Sequence, residues 1–169
     1  MSNLQSAVKA FASLSIQPKD LCQRLNRIFC EDVQAERSIG FFYAHIDPAS
    51  RRMIFTNAGH WPPLVIHRDG SIDRLDTGGV LLGRLPNRNY EQAELKLASG
   101  DFLVLFTDGL VEAENRAEEE FGEGRIVDCV RNYRTGDAYT LQRKMLARAA
   151  THCDDRFQDD ATLMIVGVQ

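Results

Sequence analysis

Two acidic segments have the residue types and the setting for metal chemistry. The first is Phe106-Thr107-Asp108-Gly109, where the apolar run Phe102–Phe106 ends in an acid followed at once by glycine. A strand end is a rigid platform. Glycine after the acid lets the backbone turn away and leaves room for a ligand or ion. The same residues also suit a turn that merely reverses the chain. The second segment is Gln158-Asp159-Asp160-Ala161-Thr162, at the start of the last apolar run. Adjacent acids repel unless a cation or turn amides neutralise them. An Asp-Asp pair taken alone is more often a solvated loop, and Asp154-Asp155 shows how cheap such pairs are. The later pair differs in being anchored to a strand. Carboxylates are hard oxygen ligands, suited to magnesium or manganese rather than zinc or copper.

Other features carry weaker signals. Asn57-Ala58-Gly59-His60 precedes Trp61-Pro62-Pro63. A lone histidine here reads as a structural hydrogen-bonding residue, since no serine or cysteine nucleophile arrangement accompanies it. The run from Thr77 to Gly83, with Gly78, Gly79 and Gly83, lacks nucleotide-loop spacing and reads as a mobile connection. Cys22, Cys30, Cys129 and Cys153 form no CxxC pair and no zinc-spaced cluster, so buried reduced thiols are expected.

The elements that must position these residues follow from periodicity. Residues 2–14 repeat Leu4, Val8 and Phe11 at helical spacing. Pro18 suits the first turn of a second helix, with Leu21, Leu25, Ile28, Phe29 and Val33 on one face. Residues 39–46 and 53–56 flank the turn Asp47-Pro48-Ala49-Ser50, a hairpin pattern. Residues 64–67 and 72–75 flank Asp69-Gly70, a strong hairpin signal because glycine accepts positive φ. Residues 90–97, Phe102–Phe106 and 161–168 read as strands, and 125–133 and 139–152 as helices. The expected fold is α+β in a single domain spanning 1–169, with antiparallel strands packed under helices. A net charge of −4 gives no reason to expect nucleic acid or an anionic membrane as partner. No apolar run is long enough to span a bilayer and no signal peptide is evident, so a cytoplasmic protein is the expectation.

In order, FFYAHIDP, NAGHWPPL, the Asp-Gly hairpin, GGVLLGRLP, LASGDFLVLFTDGLVEAEN, EEFGEGRI and QDDATLMIV resemble the PPM-type serine/threonine phosphatases of the stage II sporulation protein E family. The resemblance runs through nearly all of the chain. It implies an α-β-β-α sandwich with two manganese or magnesium ions activating a water against phosphoserine or phosphothreonine. It implies anti-anti-sigma-type phosphoproteins as substrates, in bacterial partner-switching signalling. Carried over residue by residue, it makes Asp108 and Asp159 metal ligands, with Asp160 the weaker candidate. Gly109 becomes a close-approach glycine, and Asn57, Gly59 and His60 become supporting residues. The run containing Gly78, Gly79 and Gly83 matches a movable regulatory helix.

The family's earlier G-D-x-x-G-H-G motif, which supplies the aspartate bridging both metals, does not occur in these residues. Two dications about 4 Å apart repel by roughly 17 kcal/mol at an effective dielectric of about 20. Asp108 and Asp159 alone are therefore expected to hold at most one ion, weakly. Two readings follow. In one, these residues are the later part of a phosphatase domain lacking its N-terminal strands and inactive alone. In the other, they form a non-catalytic module binding a phosphatase substrate or regulator. The missing strands should leave edges open, with Phe102–Phe106 lacking a neighbour, so dimers through sheet edges or the first helix are expected.

Overall fold

The computed structural model describes residues 2–12, 16–31, 38–133 and 137–169. In chain order the elements are α1 (Ser2–Ala12), α2 (Pro18–Glu31), β1 (Phe41–Asp47), β2 (Arg52–Ala58), β3 (Leu64–Ile66), β4 (Ile72–Arg74) and β5 (Gly78–Gly79). They continue with β6 (Ala93–Lys96), β7 (Phe102–Phe106), α3 (Asp108–Val111), α4 (Gly122–Asn132), α5 (Ala138–His152) and β8 (Leu163–Gly167). The expected Leu14 end of the first helix and Val33 of the second lie outside the described residues. By its internal packing the chain divides into two compact units, each holding one sheet.

The first unit comprises Met1–Pro62 and Leu75–Leu97. The β1–β2 hairpin pairs from Phe41↔Ala58 to Asp47↔Arg52. Its turn is fastened by Asp47, whose carboxylate accepts the Ala49 N–H at 3.0 Å and the Ser50 hydroxyl at 2.6 Å. Leu21, Cys22 and Leu25 of α2 are fully buried with Ala58, Leu82 and Tyr90, and Leu4, Val8 and Phe11 of α1 pack against them. Burial pushes the Cys22 thiol up to about 12, which suits an inert core residue. All four cysteines are free.

The run from Thr77 to Gly83 is not the loose connection its composition suggests. Gly78–Gly79 pairs in parallel with Asn57 and Ala58 of β2. A Cβ on Gly78 would lie 1.9 Å from the Asn57 carbonyl oxygen, so only glycine lets the two backbones meet. Leu82 is buried and exchanges both backbone hydrogen bonds with Ile39 at 2.9 Å. In α2, Asn26 accepts the Gly83 N–H at 2.9 Å and donates to the Leu85 carbonyl at 3.0 Å. The segment is strand and bridge here, without a helix.

The second unit comprises Pro63–Arg74 and Ala98–Gln169. Its sheet has the order β4-β3-β7-β8, antiparallel throughout. The expectation that Phe102–Phe106 lacks a neighbour is wrong: β7 pairs with β3 on one side and β8 on the other. Its continuous apolar run is what an interior strand needs, and both partners come from within the 169 residues. The edges fall instead on β4 and β8, and Met164 of β8 is 51% exposed. On α5, Leu141, Met145 and Ala149 are buried at the expected spacing, and Asp137 caps the helix by accepting the Thr140 N–H at 2.7 Å. Among the described residues, no helix is long and apolar enough to cross a membrane.

A buried carboxylate anchors the start of β7. Asp101 is 1% exposed. It accepts the N–H groups of Arg68 at 3.1 Å and Ala98 at 2.8 Å, and His67 Nδ1 lies 3.0 Å away. The other ring nitrogen of His67 is 2.9 Å from Asp73. Burial disfavours the His67 imidazolium, but the bonds to Asp73 and Asp101 outweigh it and raise the imidazole above its ordinary value. A histidine raised on folding contributes stability that is complete below its unfolded pKa of about 6.5 and is lost as pH climbs through the folded value. The urea midpoint should therefore fall as pH rises above about 6.5, and fall less in His67→Gln. Parallel pH profiles for the two proteins would count against this role for His67.

Candidate metal site at two strand ends

The candidate site is built where β7 ends and β8 begins. These strands run antiparallel with five residue pairs, from Phe102↔Gly167 to Phe106↔Leu163, so the residues after Phe106 and before Leu163 emerge at the same end. Three hydrogen bonds extend the ladder there. The Thr107 N–H donates to the Thr162 carbonyl at 3.1 Å. The Thr107 hydroxyl donates to the Asp160 carbonyl at 2.8 Å. The Thr162 N–H donates back to that hydroxyl at 2.9 Å.

Gly109 lets the segments close. A Cβ there would lie 2.8 Å from the Asp160 carbonyl oxygen and 3.0 Å from that of Asp159. The close approach expected at this glycine is thus made by the backbone of the other acidic segment. Asp108 opens the short helix α3, and its carboxylate accepts the Gly109 N–H at 3.0 Å. Asp159 accepts the Asp160 N–H at 2.7 Å. Asp108, Asp159 and Asp160 are exposed, and among the described residues none of them forms an ion pair. Nor do the described residues include a group of three or more His, Cys, Asp or Glu side chains placed to hold a metal. A cavity of about 750 Å³ borders the second segment, lined by Leu146, Ala150, Phe157, Asp159, Asp160 and Ala161 among others.

Asn57, Gly59 and His60 belong to the first unit, together with Gly78, Gly79 and Gly83. Asn57 is buried, donates to the Leu75 carbonyl at 3.0 Å and accepts the His60 N–H at 2.8 Å. The His60 ring donates from Nδ1 to the Trp61 carbonyl at 2.7 Å. Gly59 has φ +71°, and a Cβ there would strike Leu81 at 2.8 Å. These residues shape a turn by hydrogen bonding, in line with the structural reading of the histidine.

Sequence reasoning passed over Thr107, Thr162, Asn26 and the His67–Asp101 pair. The recurrence of threonine within two residues of the acid in both segments was an available signal. Nothing in the turn Ser99-Gly100-Asp101 marks its aspartate as buried.

The stage II sporulation protein E (SpoIIE) family model matches residues 1–169. Phosphoserine phosphatase RsbU of Bacillus subtilis (strain 168) is 26% identical over 168 residues, which cover 98% of this chain and 50% of that protein. Among solved structures, the RsbU and RsbW domains of Rv1364c from Mycobacterium tuberculosis superpose with a TM-score of 0.82 at 24% identity, covering 98% of this chain and 46% of that one. The manganese-presoaked phosphatase domain of the cell fate determinant SpoIIE from Bacillus subtilis gives 0.65 at 17% identity, covering 99% and 72%. The α+β expectation holds, and the chain has the fold of these phosphatase domains. It spans about half the length of the curated relative it matches.

The contact at Gly109 yields a direct test. Gly109→Ala should force the Asp159–Asp160 backbone outward and destabilise the protein by about 1–3 kcal/mol, as overpacking does. Urea denaturation with an unchanged m-value would measure this. A variant within about 0.5 kcal/mol of wild type would show that the segment yields freely.

Proposed function

Because the chain belongs to the stage II sporulation protein E family, we propose that it is part of a divalent-metal-dependent protein serine/threonine phosphatase, with Asp108 and Asp159 as metal ligands and Asp160 a secondary one. The observation that carries this reading is the stitching of the two acidic segments across the β7–β8 end. The single-domain reading is kept as part of the proposal, since the family match runs through both units.

The donor set fits magnesium or manganese in kind. All three groups supply hard oxygens, and magnesium commonly keeps several waters while bound through one or two carboxylates. They are exposed and unpaired by any cation among the described residues. When bound, such ions supply an activated water and neutralise the phosphate. The chain's own contribution is to hold Asp108 and Asp159 on adjacent rigid strand ends, so that little ordering is left to do on binding. The substrate we propose is a phosphoserine or phosphothreonine protein of the anti-anti-sigma type, acted on in the cytoplasm in partner-switching signalling. Asn57, Gly59 and His60 support the turn that follows β2, and the run containing Gly78, Gly79 and Gly83 is the regulatory region in this reading.

Activity tests follow. Residues 1–169 alone, supplied with manganese, should release phosphate from an aryl phosphate or a phosphoserine protein no faster than buffer, because one weakly held ion cannot replace a catalytic pair. Manganese-dependent turnover that disappears in Asp108→Asn would overturn this and point to a replacement ligand. In the whole protein, Asp108→Asn and Asp159→Asn should each cut turnover by about 10²-fold or more, the scale of removing one preorganised electrostatic group. Turnover unaffected by either would defeat the phosphatase reading at this site, whereas tight binding of the phosphoprotein without turnover would favour a non-catalytic module. The open β8 edge, with Met164 and Val166 exposed, also motivates a homodimer through sheet edges. Light scattering at micromolar concentration should find dimers, and a strict monomer would exclude them.

A further inference from the structure

The hydroxyl of Thr107, immediately before Asp108, touches the second acidic segment. It is half-buried and makes two bonds to that segment, donating to the Asp160 carbonyl at 2.8 Å and accepting the Thr162 N–H at 2.9 Å. These partners bracket Ala161, so the hydroxyl spans the joint where the Asp159-Asp160 loop becomes β8. The Thr107 backbone adds a third bond, to the Thr162 carbonyl at 3.1 Å. A hydroxyl has one donor and two acceptor sites, and Thr107 uses it in both directions at once. Neither bond is needed to close the β7–β8 ladder, whose pairs end at Phe106↔Leu163. Their effect is to set where the acids stand relative to each other.

We propose that Thr107 is a positioning residue for the metal site: its hydroxyl fixes the spacing between the Asp108 and Asp159 carboxylates, and so sets the affinity for the ion without contacting it. This rests on the proposed metal site. The two acids repel, and their own hydrogen bonds are local, Asp108 to the Gly109 N–H and Asp159 to the Asp160 N–H. Neither bond links the segments. Gly109 permits the approach by lacking a Cβ, but it exerts no pull. The Thr107 hydroxyl supplies the directional link. A valine of nearly the same shape loses both bonds and leaves the Asp160 carbonyl and the Thr162 N–H without this partner. A serine keeps both.

The test is manganese binding to the 169-residue chain, followed by the electron paramagnetic resonance signal of free manganese. Wild type, Thr107→Val, Thr107→Ser and Asp108→Asn are compared, with circular dichroism confirming fold. Thr107→Val should bind about 10-fold or more weakly, the usual scale for removing a group that orients a ligand. Thr107→Ser should bind like wild type, and Asp108→Asn should show no specific site. A folded Thr107→Val that binds like wild type would overturn the inference and leave the metal reading intact. A wild type that binds no manganese, or binds it equally in Asp108→Asn, would overturn the metal reading and the inference with it. If Thr107→Val does not fold, magnesium titration of wild type decides. Amide shifts of Asp160 and Thr162 that saturate with those of Asp108 and Gly109 support the clamp, and their indifference to magnesium rejects it.

Discussion

Two acidic segments stay side by side only if something other than their own charges holds them together. Here the holding is done by backbone pairing and by the Thr107 hydroxyl. The β7–β8 ladder brings the strand ends together, and Gly109 lacks the side chain that would strike the Asp159–Asp160 backbone. The carbonyl oxygens of Asp159 and Asp160 lie at this contact.

The strand that carries Asp108 is pinned at both ends. At its start, the Asp101 carbonyl accepts the Val168 N–H at 2.9 Å, and the Gly100 N–H donates to the Val168 carbonyl at 2.8 Å. At its end, Thr107 and Thr162 do the same work. A one-residue slip of β7 against β8 would turn every side chain to the opposite face, burying what should be exposed. Fastening on both sides of the five-pair ladder makes such a slip costly. The buried Asp101 carboxylate adds ties to the 63–74 segment through the Arg68 N–H and His67. A polar group far from the acids thereby helps decide where they stand.

Much of this was legible in residue order. The strand Phe102–Phe106 was readable to the residue because five apolar side chains in a row admit few alternatives. Both acids were placed at strand ends by the abrupt change from apolar to charged. The hairpin at Asp69-Gly70 was readable because Gly70 needs its φ of +95°. What could not be read was pairing. An apolar run says that a strand is interior without naming its neighbours, so β7 was expected to lose one with the missing strands and instead has two. The Gly78–Gly79 strand was invisible for a related reason. Glycine in a strand usually signals weakness, yet here its missing Cβ is the condition for parallel contact with Asn57.

The hydrogen bonds of Thr107 were hidden for a different reason. Threonine is common both in strands, for its branching, and in turns, for its hydroxyl. Residue type alone therefore leaves open which property is in use. Only the register decides it, by setting Thr107 one step beyond the pair Phe106↔Leu163, where the ladder stops and the hydroxyl can take over. Had β8 begun two residues earlier, backbone bonds would have covered the joint and the hydroxyl would have had no partner to link. The division of labour at this strand end thus follows from where the ladder terminates. Backbone pairing holds the strands, and the Thr107 side chain fastens the loop that bears the second acid.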